Sequence, residues 1–340
     1  MNPASTIHTG IIGYGYWGTN LVRNFFSAKD SALTHVADGR PARLEALARV
    51  FPTIKGVPDA GDIIDSPDVD AVVIATQVFS HYELAKRALL NGKHVLLEKP
   101  MTSTRAQSEE LINLAEQKGL TIMADHTFLY TGAVQKIKEL IIEGTLGKPG
   151  YFDSTRINLG LFQPDVNVLW DLAPHDISIL LHLIEETPYS VNATGISHTH
   201  NDIENIAYMT VNYDSDLIAH FNCSWTSPVK IRHTLIGGDK KMIVYNDLEP
   251  SEKVRVYDTG YQHKTDEDKK HVMVDYRTGD VYIPKLSGQE ALSGMANDFI
   301  QSIIQKRKPL STAELGMKVV SVLEAAQLSI KNGGTEIKIA

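Results

Sequence analysis

The chain contains one cysteine, Cys223, in 340 residues. No intrachain disulfide framework can therefore hold it, and the strand-like HFNCSW around that residue reads as a place for a small buried thiol. Basic charge is not in excess: 33 Lys and Arg stand against 41 Asp and Glu, a formal net charge of -8. Nucleic acid and anionic membrane surfaces both demand a basic footprint, so neither is an expected partner. No stretch approaches the roughly 20 apolar residues that span a bilayer, and MNPASTIHTG lacks the basic start and apolar block of a signal peptide. A cytoplasmic location is expected. There is no internal repeat, no low-complexity segment and no G-x-S-x-G nucleophile motif. His198 and His200 alternate in SHTHND without a third ligand marked nearby, so no metal is expected. The run KTDEDKKH reads as an exposed loop.

Periodicity is what the chain does have. Over its first 125 residues, short β-branched runs (IHTGIIG, ALTHVAD, DAVVIAT, KHVLLEK, LTIMAD) alternate with helical patterns. Several of these strands lack polar alternation, as a parallel sheet covered by helices on both faces requires. Beyond Ala124 strand-like segments follow one another directly: GYFDSTRINLG, SVNATGISHTH, ENIAYMTVNYD, LIAHFNCSW, IRHTLIGG and KKMIVYN. The fold class is thus α/β: a doubly wound parallel-sheet (Rossmann) domain over 1–125, then an α+β domain over 126–340 with a large, mainly antiparallel sheet. Two closing helices, QEALSGMANDFIQSIIQK and STAELGMKVVSVLEAAQLSIKNGG, could pack back on the first domain. The second is expected to start at a Ser311-x-x-Glu314 capping box and to end at Gly333. A broad sheet with one free face favours a homodimer or homotetramer.

Immediately after the first strand, Gly13, Gly15 and Gly18 stand in G-x-G-x-x-G register, and a helical pattern follows. Such glycines allow a tight turn and close approach of the backbone to a pyrophosphate, while the helix start offers N–H groups. Asp38 follows Gly18 by twenty residues, where a carboxylate can accept hydrogen bonds from ribose hydroxyls. It favours NAD over NADP, although Arg40 and Arg43 lie close enough in sequence to pair with a 2′-phosphate. Tyr16 and Trp17 read equally as crevice wall or core. Thr76 and Gln77 leave the sheet at its ligand edge, and His81 reads as a helix-start or crevice residue.

HVLLEKP runs an apolar strand straight into Glu98, Lys99 and Pro100. In an open parallel sheet ligands bind outside the carboxyl ends of the strands, which is where Lys99 falls, and a cis bond at Pro100 could aim it. WDLAPHDISIL sets His175 between two carboxylates in an otherwise apolar segment. With Pro174 in a helical first turn, Asp171 and His175 lie one turn apart on one side, whereas Asp176 points elsewhere.

Taken together, GYGYWG, VAD, ATQVFSH, GKHVLLEKP and Asp171-x-x-x-His175 resemble the glucose-fructose oxidoreductase, inositol dehydrogenase and MocA family of NAD(P)-dependent sugar and polyol oxidoreductases. The resemblance covers essentially the whole chain. It implies that Lys99, Asp171 and His175 meet at the reacting carbon, with Gly13, Gly15, Tyr16, Trp17, Gly18, Asp38, Arg40, Thr76, Gln77, His81, Glu98 and Lys99 serving the cofactor. ADHTFLYTGAV and RINLGLFQPDVNVLWDLAPHDISIL are most similar to enzymes oxidising the 3-hydroxyl of nucleotide sugars such as UDP-N-acetylglucosamine. Many members carry a glycine-rich run before the aspartate and an acid three residues after the histidine; here VLW and Ser178 stand in those places. Arg156, Asn158 and Asn167 are candidates to bind sugar hydroxyls, and Arg232 or Lys230 to pair with a diphosphate.

The chemistry implied is hydride transfer from a secondary alcohol. His175 acts as base, Asp171 orients it, and Lys99 stabilises developing alkoxide charge. The alternative gives the base role to Lys99 and leaves His175 to orient the sugar. Other functions compatible with these residues are an inositol or free-sugar dehydrogenase, a ketoreductase, and a dinucleotide-binding regulator without turnover.

Overall fold

The computed structural model describes residues 6–160, 162–199, 202–262 and 275–339; His200 and the KTDEDKKH run lie outside these. The chain folds into two compact units, Met1–Tyr130 with Gln289–Ser321 and Thr131–Gly288 with Val322–Ala340.

The first unit alternates strand and helix: β1 (Ile7–Ile12), α1 (Tyr16–Ser27), β2 (Ser31–Ala37), α2 (Pro41–Val50), β3 (Lys55–Val57), α3 (Gly61–Ile64), β4 (Ala71–Ile74), α4 (Val78–Leu90), β5 (His94–Glu98), α5 (Arg105–Lys118) and β6 (Ile122–Asp125). The strands form one sheet in the order β3-β2-β1-β4-β5-β6, parallel throughout. That order reverses between β1 and β4, where a doubly wound sheet opens a ligand crevice. All four residues of β4 are buried, which explains its unbroken apolar run. β3 escaped the sequence reading because it has only three residues, two of them exposed.

The first of the two closing helices, α8 (Ala291–Gln305), buries Met295, Ala296, Phe299 and Ile300 in the same cluster as Leu21, Val22 and Phe25 of α1. Phe25 and Phe299 meet edge to face at 6.3 Å. The expected Ser311 capping box does not form. The Ser311 hydroxyl instead donates to the Ala124 carbonyl at 2.6 Å and accepts from the His126 amide at 3.3 Å. The cap moves one residue on: Thr312 Oγ1 accepts from the Leu315 amide at 3.1 Å, and α9 runs over Ala313–Lys331. Gly333, at φ 69°, follows its end.

In the second unit, α6 (Gly132–Ile142) leads into β7 (Pro149–Leu159), α7 (Val168–Leu183), β8 (Ser190–Ile196), β9 (Ile206–Asn212), β10 (Ile218–Ser224), β11 (Thr226–Gly238), β12 (Met242–Asn246), β13 (Val254–Gln262), β14 (Asp275–Tyr282) and β15 (Ile337–Lys338). These strands form a second sheet in the order β14-β13-β12-β11-β7-β10-β9-β8-β15. Its pairs are antiparallel except β7 with β10. Alternation is clean along β9, where Ala207, Met209 and Val211 are buried and Tyr208 is exposed. That is the pattern of a sheet with one packed face.

The Asn167 side chain caps α7, accepting from the Leu169 and Trp170 amides at 3.1 Å each. This cap starts the helix at Val168, so Pro174 lies in its interior and not, as expected, in the first turn. The ring supplies no N–H to the Trp170 carbonyl.

Candidate active site

The glycine loop lies at the carboxyl end of β1. Gly13 adopts φ +102°, and a Cβ there would stand 2.4 Å from the Ala75 carbonyl oxygen; only glycine meets both conditions. A Cβ on Gly18 would stand 2.0 Å from the Gly13 oxygen, so the helix start is seated directly on the loop. Gly15 differs: a Cβ there would meet nothing closer than an Arg40 nitrogen at 3.8 Å. It faces open space at the uncapped start of α1, the form of a cradle for a phosphate group.

Around this loop a crevice of about 690 Å³ is lined by Gly13, Gly15, Tyr16, Trp17, Asp38, Arg40, Thr76 and Gln77 among others. Eight of the residues assigned to the cofactor from sequence thus share one wall. Tyr16 is 83% exposed, which selects crevice wall over core for that residue. Asp38 Oδ2 accepts from the Tyr14 amide at 2.9 Å, and Arg40 grips both oxygens at 2.8 Å through Nε and Nη2. The Arg40 hydrogen bonds hold the Asp38 carboxyl down at about 2 despite its burial. The donor set fits a dinucleotide: an uncapped helix start for the pyrophosphate and a fixed carboxylate for a ribose diol.

His81, Glu98, Lys99 and Gly18 do not line that crevice. His81 is buried in α4, its Nδ1 at 3.1 Å from the Pro100 carbonyl and its Nε2 at 3.1 Å from the Thr76 carbonyl. It braces the two strand ends against each other and does not face a ligand; burial pushes its pKa down. Lys99 follows β5 and is half-buried, and its bond to Pro100 is cis. Its backbone amide donates to Glu98 Oε2 at 2.8 Å. Glu98 turns inward beside Asp125, and burial followed by the Asp125 charge pushes it up to about 8. His126, next along the chain, is 1% exposed. Both its ring nitrogens lack a hydrogen-bond partner among the described residues. Burial, then the Lys99 charge, lowers it to about 3. The sequence reading passed over Asp125 and His126. Their signal was two polar residues at the carboxyl end of an apolar parallel strand, the same signal that singled out Lys99.

In the second unit, Asp171 and His175 lie one turn apart on α7. Asp171 Oδ2 accepts from the Trp225 indole N–H at 2.9 Å, and Trp225 is 1% exposed. This orienting tryptophan was also missed, because nothing in sequence links the residue after β10 to a helix that precedes it. Arg156 requires a correction. It is 4% exposed and donates from Nε and Nη2 to the two Asp176 oxygens at 2.7 Å each, so a buried bidentate pair takes the guanidinium expected for sugar hydroxyls. The same pair gives Asp176 its role. Asn167 is corrected likewise: its oxygen caps α7, and its amide nitrogen donates to Glu204 at 2.9 Å and Gln327 at 2.7 Å. Arg232 pairs with Asp247 at 3.1 Å, Asn158 is half-buried and Lys230 is exposed. His198 sits on Asn205 at 3.1 Å, and among the described residues no group of three His, Cys, Asp or Glu could hold a metal. No helix among the described residues is long and apolar enough to cross a membrane.

Fold and crevice together define an NAD-binding oxidoreductase. The model of an oxidoreductase family with an NAD-binding Rossmann fold matches residues 7–126, and that family's C-terminal domain model matches 134–244. The chain belongs to the Gfo/Idh/MocA family. A scyllo-inositol 2-dehydrogenase (NADP(+)) of Bacillus subtilis is 25% identical, over 97% of this chain and 95% of that one. A UDP-N-acetylglucosamine 3-dehydrogenase of Acidithiobacillus ferrooxidans is 29% identical over 61% of this chain and 64% of its own length. The solved structure of a UDP-N-acetylglucosamine 3-dehydrogenase from Acidithiobacillus ferrooxidans superimposes with a TM-score of 0.80 over 97% of this chain and 99% of that chain, at 21% identity. An Agrobacterium radiobacter oxidoreductase solved with NAD+, L-tartaric acid and magnesium gives 0.80 over 98% of both chains, at 17% identity.

Proposed function

We propose that the chain is an NAD-dependent dehydrogenase of a sugar-ring secondary hydroxyl, acting at C3 of a UDP-linked amino sugar such as UDP-N-acetylglucosamine. The observation that carries the reading is a dinucleotide crevice with a fixed carboxylate, on the same sheet edge that ends in Lys99. NAD held there supplies the hydride acceptor. Gly13, Gly15 and the start of α1 hold its phosphates, and Asp38 takes the adenosine ribose diol. Lys99 donates a hydrogen bond to the reacting oxygen and stabilises negative charge developing on it. His175 takes the hydroxyl proton, and Asp171, steadied by the Trp225 indole, orients the imidazole.

The 29% identical relative named for UDP-N-acetylglucosamine supports this substrate class. A second reading, a cyclitol dehydrogenase that accepts NADP, is favoured by the scyllo-inositol relative, whose match spans nearly the whole chain. Purified protein incubated with NAD or NADP and, in turn, UDP-N-acetylglucosamine, inositols and free hexoses separates them by nicotinamide absorbance. Turnover with the UDP-sugar is the expected result, and turnover with inositols alone selects the second reading. Lys99→Ala is expected to lower kcat by roughly a hundredfold or more; undiminished turnover would remove Lys99 from the site.

A further inference from the structure

One cluster at the carboxyl edge of the first unit's sheet has no part in the chemistry above. β5 and β6 run parallel, and their last residues, Glu98 and Asp125, are register partners, so their side chains emerge next to each other. Both are buried, at 8% and 2% exposure, and each carboxyl group perturbs the other. Glu98 Oε2 accepts the Lys99 amide, and Asp125 Oδ1 accepts the Thr127 hydroxyl. Asp125 Oδ2 is buried with no donor among the described residues. Two ionised carboxylates packed together away from water repel each other strongly, and neither can donate to the other. One proton between them removes the repulsion and satisfies the orphaned oxygen.

We propose that Glu98 and Asp125 hold a single proton between them, so that the pair presents one negative charge to Lys99 and positions that cation for the oxygen it binds. The surrounding charged and titratable groups agree. The Lys99 charge acts on both carboxyls and favours their ionised forms. His126 is held neutral by burial. Tyr130 donates its hydroxyl to Asp298 at 2.7 Å, and Asp298 is itself bridged by Arg307 at 2.6 Å. None of these supplies a proton to Asp125 Oδ2. Burial, then the neighbouring Asp125 charge, raises Glu98, and burial raises Asp125 as well, so the pair resists losing its last shared proton.

The catalytic consequence rests on the proposed role of Lys99; the shared proton does not. Infrared spectra of the full-length protein and of Glu98→Gln, both first checked for folding by circular dichroism, test the proton directly. The wild type is expected to show the carbonyl stretch of a buried carboxylic acid at neutral pH. The band should be absent from Glu98→Gln and should vanish from the wild type as pH rises through about 8. A difference spectrum with carboxylate bands alone would overturn the proposal. With a sugar that is turned over, wild-type kcat should fall as Glu98 ionises. Glu98→Gln should flatten that limb by about threefold or more, and Asp125→Asn should lower kcat near neutrality by about tenfold. An alkaline limb unchanged in Glu98→Gln would sink the positioning role. Absence of turnover with every sugar would sink the proposed function while the infrared band still decides on the pair.

Discussion

A carboxylate gripped by a guanidinium responds differently to NAD and to NADP. In the proposed binding mode Asp38 offers its oxygens to a ribose diol, but Arg40 already cancels part of the charge that would repel a 2′-phosphate. With 59% of its side chain exposed, Arg40 can turn outward to pair with that phosphate. Asp38→Asn should weaken NADH binding about tenfold. Arg40→Ala should weaken NADPH binding about tenfold more than NADH binding. Fluorescence titration of both reduced cofactors measures this, and equal losses for the two would deny Arg40 any part in selection. Glu98 makes a second prediction, about stability. Its folded pKa is raised to about 8 from an ordinary 4.5, so the folded state binds the proton more tightly than the unfolded chain. The stabilisation is complete below the unfolded value and is lost as pH rises through the folded one. Between about pH 5 and 8, urea midpoints of the wild type should therefore fall relative to those of Glu98→Gln. At single positions local spacing singled out Gly13, Gly15 and Asp38, which the structure places around one crevice, and Lys99, which it places just after β5. The sequence was not legible where the partner is distant. Nothing about Arg156 announces Asp176 twenty positions on, and nothing about Trp225 announces Asp171.

The element on which most of the proposed chemistry depends is α7. Its acid and histidine one turn apart were readable from local sequence. Its start was misread because Pro174 looks like a first-turn residue, whereas Asn167, seven positions earlier, carries the cap. A proline inside a helix leaves one carbonyl without its usual donor, so the helix relies more heavily on its cap and on the apolar face formed by Ala173, Ile177 and Leu180. Asn167→Ala should cost about 2 kcal/mol in urea unfolding, the upper end for a cap, because Glu204 and Gln327 also lose a donor. Asn167→Asp keeps the acceptors for Leu169 and Trp170 but sets a carboxylate against Glu204, so it should recover only part of that loss. Full recovery by aspartate would mean that the cap alone is at stake. Trp225→Phe should leave the fold within about 2 kcal/mol of wild type. If the indole N–H steadies Asp171 for catalysis, kcat should fall with little change in KM.

In the molecule as a whole, the sheets followed from the sequence more readily than the division of the chain between them. Strand periodicity revealed five of the six strands of the first sheet and the mainly antiparallel character of the second. The sequence reading set a boundary near 125 and allowed the closing helices, QEALSGMANDFIQSIIQK among them, to pack back on the first domain, without fixing where they do so. The first compact unit instead includes Gln289–Ser321. The physical reason lies in its core: α8 contributes Met295, Ala296, Phe299 and Ile300, each 0% exposed, beside Phe25 and Leu21. Burying such side chains contributes roughly 1.5–3 kcal/mol for each large one, and losing several removes an amount comparable to the whole stability of a domain, about 5–15 kcal/mol. A fragment ending at Tyr130 would expose that apolar face and lose the Ser311 hydroxyl that bonds the Ala124 carbonyl and the His126 amide. The fragment 1–130 is therefore expected to aggregate or to melt without a cooperative transition. The same fragment joined by a flexible linker to 289–321 should fold and bind NADH in fluorescence titration. A soluble, cooperatively melting 1–130 fragment with full cofactor affinity would show that the returning helix is dispensable to the dinucleotide crevice.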